Sequence, residues 1–345
     1  MVRPTVRAYA ARAAGSPLEP FTYDEPDLGA GEVRVAVTHC GLCFTDVHAI
    51  DDDFGVFSFP LVPGHEVVGR VTEMGAGVSA LAVGDVVGIG WQGRSCGGCE
   101  WCREGDDHLC RAIAECGTWT PYGGFSAAVV VDGRFAHPIP PGMTSESAAV
   151  LMCAGTAVYP PLRRWAEGRR VGVVGIGGLG HLAIQFAHAL GGDVTAISTS
   201  PEKEEEARRL GADHFLVSTD PAAMSRAEFG FDVLLCTAHG DLDWAALLMS
   251  LTKNGRVVLA AFSPLDLGVG GIPGSSGPLV DLVVHQLSIT GSFLGSPADV
   301  REMLAFAQEH EIAPWVETMP MERVNEAIER LRSGRVRYRI VLTNE

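Results

Sequence analysis

Basic residues are scarce in this chain: 26 lysines and arginines stand against 42 aspartates and glutamates, a formal net charge of −16. Nucleic-acid backbones are bound by clustered cationic surface, so a nucleic-acid partner is excluded. Only Lys203 and Lys253 are lysines, a preference for arginine that points to no function. An unbroken apolar N-terminal run is also missing, because Pro4, Pro17 and scattered arginines interrupt it, and no secretory signal is expected. The longest apolar stretch, 171–192, carries several glycines with His181, Gln185 and His188. A membrane helix would have to bury those polar groups, so the stretch reads as a buried strand, a glycine turn and a packed helix. Nine cysteines, an odd count, argue against a closed disulfide framework. Four of them fall between 96 and 110, where a reducing compartment tolerates them as metal ligands. The expectation is a soluble, cytoplasmic protein without a membrane partner.

What is present suits two domains. The chain has 345 residues, 47% of them hydrophobic, enough for a sizeable core. Up to about residue 150 it reads as short strands, such as 32–38 (EVRVAVT) and 66–72 (EVVGRVT), separated by Gly-Asp and Pro-Gly turns. That is an all-β, barrel-like half. Beyond residue 145, strand-like runs at 171–174, 194–198, 233–236 and 257–261 alternate with helical stretches such as 201–210. The alternation predicts a parallel, doubly wound sheet. Near the end, 298–310 and 321–331 have helical spacing and 337–342 reads as a strand.

GIGGLG at 175–180 matches G-x-G-x-x-G directly after one of these strands. Gly175 permits the tight turn, Gly177 lets backbone approach a pyrophosphate, and Gly180 brings the helix close to the strand; Gly178 and Leu179 lie within the loop. The next strand ends at Ser198, Thr199 and Ser200, where an acid would bind the ribose hydroxyl of NAD. Three hydroxyls and Lys203 instead favour the 2′-phosphate of NADP(H), although Glu202 and Glu204 to Glu206 lower the local positive potential.

Two cysteine constellations stand out. Cys96, Cys99, Cys102 and Cys110 have the spacing C-x2-C-x2-C-x7-C on a short glycine-containing loop. Four thiolates there can close a tetrahedral zinc with no open position, a structural site. The second set is dispersed: Cys43 in CGLCFTD at 40–46, His65-Glu66 after Pro63-Gly64, and Cys153 in LMCAG at 151–155. Two thiolates and an imidazole leave a fourth position for an outside oxygen. Spacing alone does not join them, since lone buried cysteines are usually small hydrophobes.

These segments, in this order and at these separations, resemble the zinc-dependent alcohol dehydrogenases of the medium-chain dehydrogenase/reductase superfamily. The cinnamyl-alcohol-dehydrogenase-like branch is nearest. The resemblance implies an α/β fold: a doubly wound parallel Rossmann sheet, 155–295, inserted in a β-rich GroES-like catalytic domain, 1–154 and 296–345, with a closing cleft between them. It makes Cys43, His65 and Cys153 ligands of a catalytic zinc and Glu66 an exchangeable fourth. Asp46 would orient His65, Thr45 and His48 would relay the alcohol proton, and Arg339 would contact the pyrophosphate. Cys40, Cys116 and Cys236 match no ligand position and fall to packing. Phe44 departs from the family, which often has a phosphate-reaching His or Arg there.

The activity implied is zinc-dependent hydride transfer between NADP(H) and a primary alcohol or aldehyde, with two zinc ions per chain. Phe54, Phe57, Trp91, Trp119, Phe293 and Leu294 are candidate pocket residues, Phe293 also facing the cofactor. An aromatic slot favours apolar or aromatic aldehydes, but Phe54, Phe57 and Trp119 serve equally as core or loop anchors. Two rivals stand beside this reading: NAD-dependent oxidation of short alcohols or polyols, and a cofactor-binding relative without catalysis. The resemblance also implies a homodimer, typical of the branch, paired through the nucleotide domain with 279–291 as the candidate interface.

Overall fold

The computed structural model describes residues 5–115, 117–119, 122–261 and 278–344; Cys116 lies outside them. Two compact units divide the chain, Met1–Thr156 with Gly295–Glu345, and Ala157–Leu294.

The first unit is organised by one long strand, Glu32–Leu42. Val33, Val35 and Val37 are buried while their neighbours are half-exposed, the alternation a half-buried strand requires. Antiparallel partners are Glu66–Met74, Ala128–Asp132 and Arg339–Thr343. The register sets Gly41 opposite Glu66 and Leu42 opposite Ile340. Three segments remote in sequence therefore end side by side, just where Cys43 leaves the sheet. Buried Val67, Val71, Val87, Val129 and Val131 fill the core beneath, each contributing about 1.5–3 kcal/mol by leaving water.

The all-β expectation for this half is incomplete. Helices Phe44–Asp51 and Ser145–Val150 interrupt it. The first starts at Cys43 because the Asp46 carboxylate, three residues on, accepts the Cys43 backbone N–H, a capping arrangement that the turn-rich composition concealed. Between Ser145–Val150 and helix Thr156–Trp165, residues Leu151–Gly155 form one widened, π-helical turn, all five buried. The C-terminal expectations fare better, as helix Pro297–Glu309, helix Val324–Arg332 and strand Arg339–Thr343.

The second unit is a six-stranded, wholly parallel sheet. Its spatial order is His214–Val217, Asp193–Ser198, Arg170–Val174, Phe231–Cys236, Leu251–Leu259 and Ser288–Gly291. In order of appearance that is 3-2-1-4-5-6, the doubly wound dinucleotide arrangement with its switch point between the first and fourth strands. Strands 214–217 and 288–291 were not foreseen; they lie at the two edges of the sheet. Among the described residues no helix is long and apolar enough to cross a membrane.

Candidate active site

Cys43, His65, Glu66 and Cys153 each present a ligand atom within 4.8 Å of the others. The sheet register supplies Glu66 and the start of the helix bearing Cys43; the widened turn supplies Cys153. The two sulfurs are 4.0 Å apart and His65 Nε2 is 3.3 Å from the Cys153 sulfur. A tetrahedral ion with bonds of about 2.0–2.3 Å spaces its ligands about 3.3–3.8 Å apart, so the set fits zinc.

Asp46, fully buried, ties three pieces of this cluster together. One carboxylate oxygen accepts the Cys43 N–H at 3.0 Å; the other accepts the Gly64 N–H at 2.9 Å and meets His65 Nδ1 at 2.9 Å. Burial alone would lower the His65 pKa, yet the charge and hydrogen bond of Asp46 hold it well above its usual value. With Nδ1 committed to Asp46, Nε2 is the atom aimed at the sulfurs. A hydrogen bond with Cys153 lowers the Cys43 pKa, and the same contact, with burial, raises that of Cys153.

Glu66 offers a second test of the metal. Its Oε2 is buried and has no hydrogen-bond partner, while Oε1 meets Arg339 Nη1 at 3.1 Å. Burial pushes this carboxyl up to about 8 against the pull of the Arg339 guanidinium. An orphaned buried carboxylate oxygen beside two thiols and an imidazole suits a cation. Gly41 makes its room, since a Cβ there would lie 2.0 Å from Oε2. Arg339, expected at a pyrophosphate, is only 5% exposed and directed at Glu66.

Thr45 Oγ1 is 3.5 Å from the Cys43 sulfur. His48, partly exposed, bonds through Nδ1 to Asp53 at 2.6 Å; the sequence reading missed Asp53, whose adjacency depends on the turn after the helix. Trp119, 6% exposed, packs edge-on to the His65 imidazole at 5.3 Å, with Phe57 at 5.5 Å and Trp91 at 5.9 Å. Phe54 is 6.4 Å from Phe57. Trp119 is thus a buried anchor, and Phe54 is exposed. Phe293 and Leu294 belong to the second unit.

The other cysteines also converge. Cys96, Cys99, Cys102 and Cys110 lie within 4.8 Å of one another, with sulfur separations of 3.8 Å for Cys96–Cys102 and 3.4 Å for Cys99–Cys102. Backbone N–H groups of Cys99 and Ala112 point at the Cys96 and Cys110 sulfurs, both at 3.4 Å. Such donors, from Arg111 and Cys102, draw Cys99 down to about 6, as a thiolate site needs. Cys40 and Cys236 are buried in the cores.

In the second unit the glycine loop leads from strand Arg170–Val174 into helix Gly180–Ala189. A Cβ on Gly180 would fall 1.8 Å from the Gly175 carbonyl, whereas one on Gly177 meets nothing within 4 Å. Gly177 is the exposed lip; Gly180 is the close contact. Thr237, at the end of the fourth strand and unmarked by any motif, donates its hydroxyl to the Val174 and Gly175 carbonyls at 3.0 and 2.9 Å. Lys203 Nζ reaches the Ile176 carbonyl at 2.7 Å, so it borders this loop. Ser198 accepts the Ser200 N–H at 3.1 Å, and Thr199 is exposed. His181 is buried, Nδ1 3.1 Å from the Gly177 carbonyl.

Known proteins resemble this chain in sequence and fold. Residues 29–141 match the family described as alcohol dehydrogenase GroES-like domain, and 178–309 match zinc-binding dehydrogenase. An aldehyde reductase, AdhA, of Synechocystis is 41% identical over 98% of this chain and 99% of its own. NADP-dependent alcohol dehydrogenase C 1 of Mycolicibacterium smegmatis is 37% identical over 98% and 97%. The structure of a cinnamyl alcohol dehydrogenase from Sorghum bicolor superposes with a TM-score of 0.88 at 37% identity, covering 99% of this chain and 98% of that one.

Proposed function

The chain belongs to the zinc-binding alcohol dehydrogenases with a GroES-like domain, and from that premise we propose that it interconverts apolar or aromatic aldehydes and their primary alcohols with NADP(H). The observation that carries the reading is the convergence of Cys43, His65, Glu66 and Cys153 on one point. Cys43, Cys153 and His65 Nε2 hold a catalytic zinc, and Glu66 is the exchangeable ligand. The four-cysteine loop holds a second, structural zinc. Bound there, the catalytic ion supplies Lewis acidity toward a carbonyl oxygen and the nicotinamide supplies hydride.

The chain's own groups do the remaining work. Asp46 fixes the ligand imidazole and the Cys43 backbone. The Thr45 hydroxyl, beside Cys43, carries the substrate proton, and His48, paired with Asp53 and open to water, exchanges it with solvent. Gly175, Gly177 and Gly180 receive the pyrophosphate. Ser198, Thr199, Ser200 and Lys203, with no acid among them, donate to the 2′-phosphate; the NADP dependence named for the M. smegmatis relative supports this choice. Exposed Val280, Val283 and Val284 beside the edge strand Ser288–Gly291 suit a homodimer contact, and the thiol-rich loop suits the cytoplasm.

One experiment tests the reading. Zinc content is measured for the wild type and Cys43→Ser, and both are assayed with benzaldehyde, cinnamaldehyde and acetaldehyde using NADPH and NADH. Two zincs per chain, turnover lost in the variant, and higher kcat/KM with NADPH and with the aromatic aldehydes are expected. Full activity in the metal-depleted variant ends the zinc reading, a tenfold advantage for NADH ends the cofactor choice, and preference for acetaldehyde ends the aromatic one.

A further inference from the structure

The four-cysteine loop is closed by more than its own thiols. Ser95 stands one residue before Cys96, and Asp107 opens the 3-10 turn Asp107–Leu109 that delivers Cys110. The Ser95 hydroxyl donates to Oδ1 of Asp107, so side chains join the two ends of the loop. The Asp107 carbonyl is engaged as well: it accepts the Cys110 N–H at 3.0 Å and the side-chain amide of buried Gln92 at 2.7 Å. Asp107 is 8% exposed, a burial that carboxylates accept when they are paired.

Arg134 reaches this junction from outside the loop. It lies in the 3-10 turn Gly133–Phe135 that follows strand Ala128–Asp132. Nη1 donates to Asp107 Oδ1 at 3.2 Å and Nη2 to the Ser95 hydroxyl at 3.0 Å. Nε and Nη2 both donate to Asp132 Oδ2, at 3.1 and 2.7 Å. Isolated surface ion pairs contribute little. This one is a fork shared between the sheet and both ends of the loop, a geometry the planar guanidinium holds rigidly. Arg103 and Arg111 also bring positive charge here, bonded to the Gly98 carbonyl and to Glu100, but those partners lie within the loop.

Resting on the reading of this loop as a zinc site, we propose that Arg134, Asp107 and Ser95 form a staple that sets how tightly the loop zinc is held. Bringing the ends of a chain segment together costs conformational entropy. The staple meets that cost in the fold itself, so an arriving ion finds the cysteines at 96 and 110 already side by side. Arg134 is a positioning residue, because it acts on the thiolates through Ser95 and Asp107 and not as a ligand.

The test is competition for zinc between the zinc-loaded protein and graded concentrations of a chelator, read by metal analysis after desalting. The ion missing from Cys99→Ser is the loop ion. In Arg134→Ala and in Ser95→Ala its Kd should rise about ten- to a hundredfold, the usual effect of losing a group that orients metal ligands, while the other ion keeps its Kd. Arg134→Lys keeps the charge and loses the fork, so it should follow Arg134→Ala. A loop-zinc Kd within twofold of the wild type in both Arg134→Ala and Ser95→Ala overturns the proposal. A wild-type Kd in Arg134→Lys does the same, because charge and not the staple would then be responsible. Urea unfolding of the metal-free proteins gives the second readout: a lower midpoint with unchanged zinc affinity marks a merely structural contact and also overturns it. A Cys99→Ser protein that carries as much zinc as the wild type overturns the zinc reading of the loop itself.

Discussion

Arg339 and Glu66 form an ion pair inside the first unit, Nη1 to Oε1 at 3.1 Å, with side chains 5% and 0% exposed. The two partners are not equivalent. Burial has already pushed Glu66 up to about 8, so it can shed its charge; a guanidinium cannot. Glu66→Leu strands a cation and should cost about 3–5 kcal/mol. Arg339→Leu leaves a carboxyl that protonates and should cost less. Urea unfolding of the metal-free proteins at pH 7 measures both, and equal losses would refute the asymmetry.

The glycine loop separates folding from binding. Gly180→Ala drives a methyl into the Gly175 carbonyl; both the urea midpoint and dinucleotide affinity should fall, the latter by tenfold or more. Gly177→Ala should keep the midpoint and weaken NADPH binding alone, because its Cβ enters only open space, where the proposed pyrophosphate site lies. Fluorescence titration reads the affinity. An unchanged Kd in Gly180→Ala would contradict the close-contact role.

Cys99→Ser should remove one zinc per chain and lower the melting temperature by several degrees while the remaining enzyme keeps its kcat, since a closed tetrahedral site holds a loop and offers no open position. Metal analysis beside a thermal melt decides it. Loss of turnover at unchanged stability would make that loop part of the chemistry.

His137 is 4% exposed, and burial, helped by the charge of Arg301, lowers its pKa to about 3. The unfolded chain takes up a proton near pH 6.5 that the folded one refuses. Stability therefore falls as pH drops below about 6.5, and the loss continues down to the folded value near 3. Between pH 6.5 and 5, before most carboxylates titrate, the contribution is about 2 kcal/mol. His137→Gln should remove that part of the slope; superimposable profiles of stability against pH would rule it out.

Legibility in the sequence followed sequence distance. The glycine loop and the four-cysteine loop are local, so spacing and flanking elements revealed them. Cys43, His65 and Cys153 are not local. Their meeting depends on the register that sets Gly41 opposite Glu66 and on a widened turn at Cys153, which spacing does not encode, and only resemblance joined them. Thr237 escaped because its contact with Gly175 links the ends of two neighbouring parallel strands. Helices Phe44–Asp51 and Ser145–Val150 were hidden by turn residues. Glycine at 41 reads as a turn signal, yet here it is a space left in a strand for Glu66.

The widened turn at 151–155 has a consequence of its own. A π-helical turn amounts to one extra residue in a continuous helix. Deleting one of its other four residues would rewind it to regular pitch and swing the sulfur at 153 roughly a quarter-turn about the axis. Every amino acid that chelates would still be there, and the ion would be lost. Possession of this metal is thus a matter of phase along a helix as much as of which side chains the gene encodes.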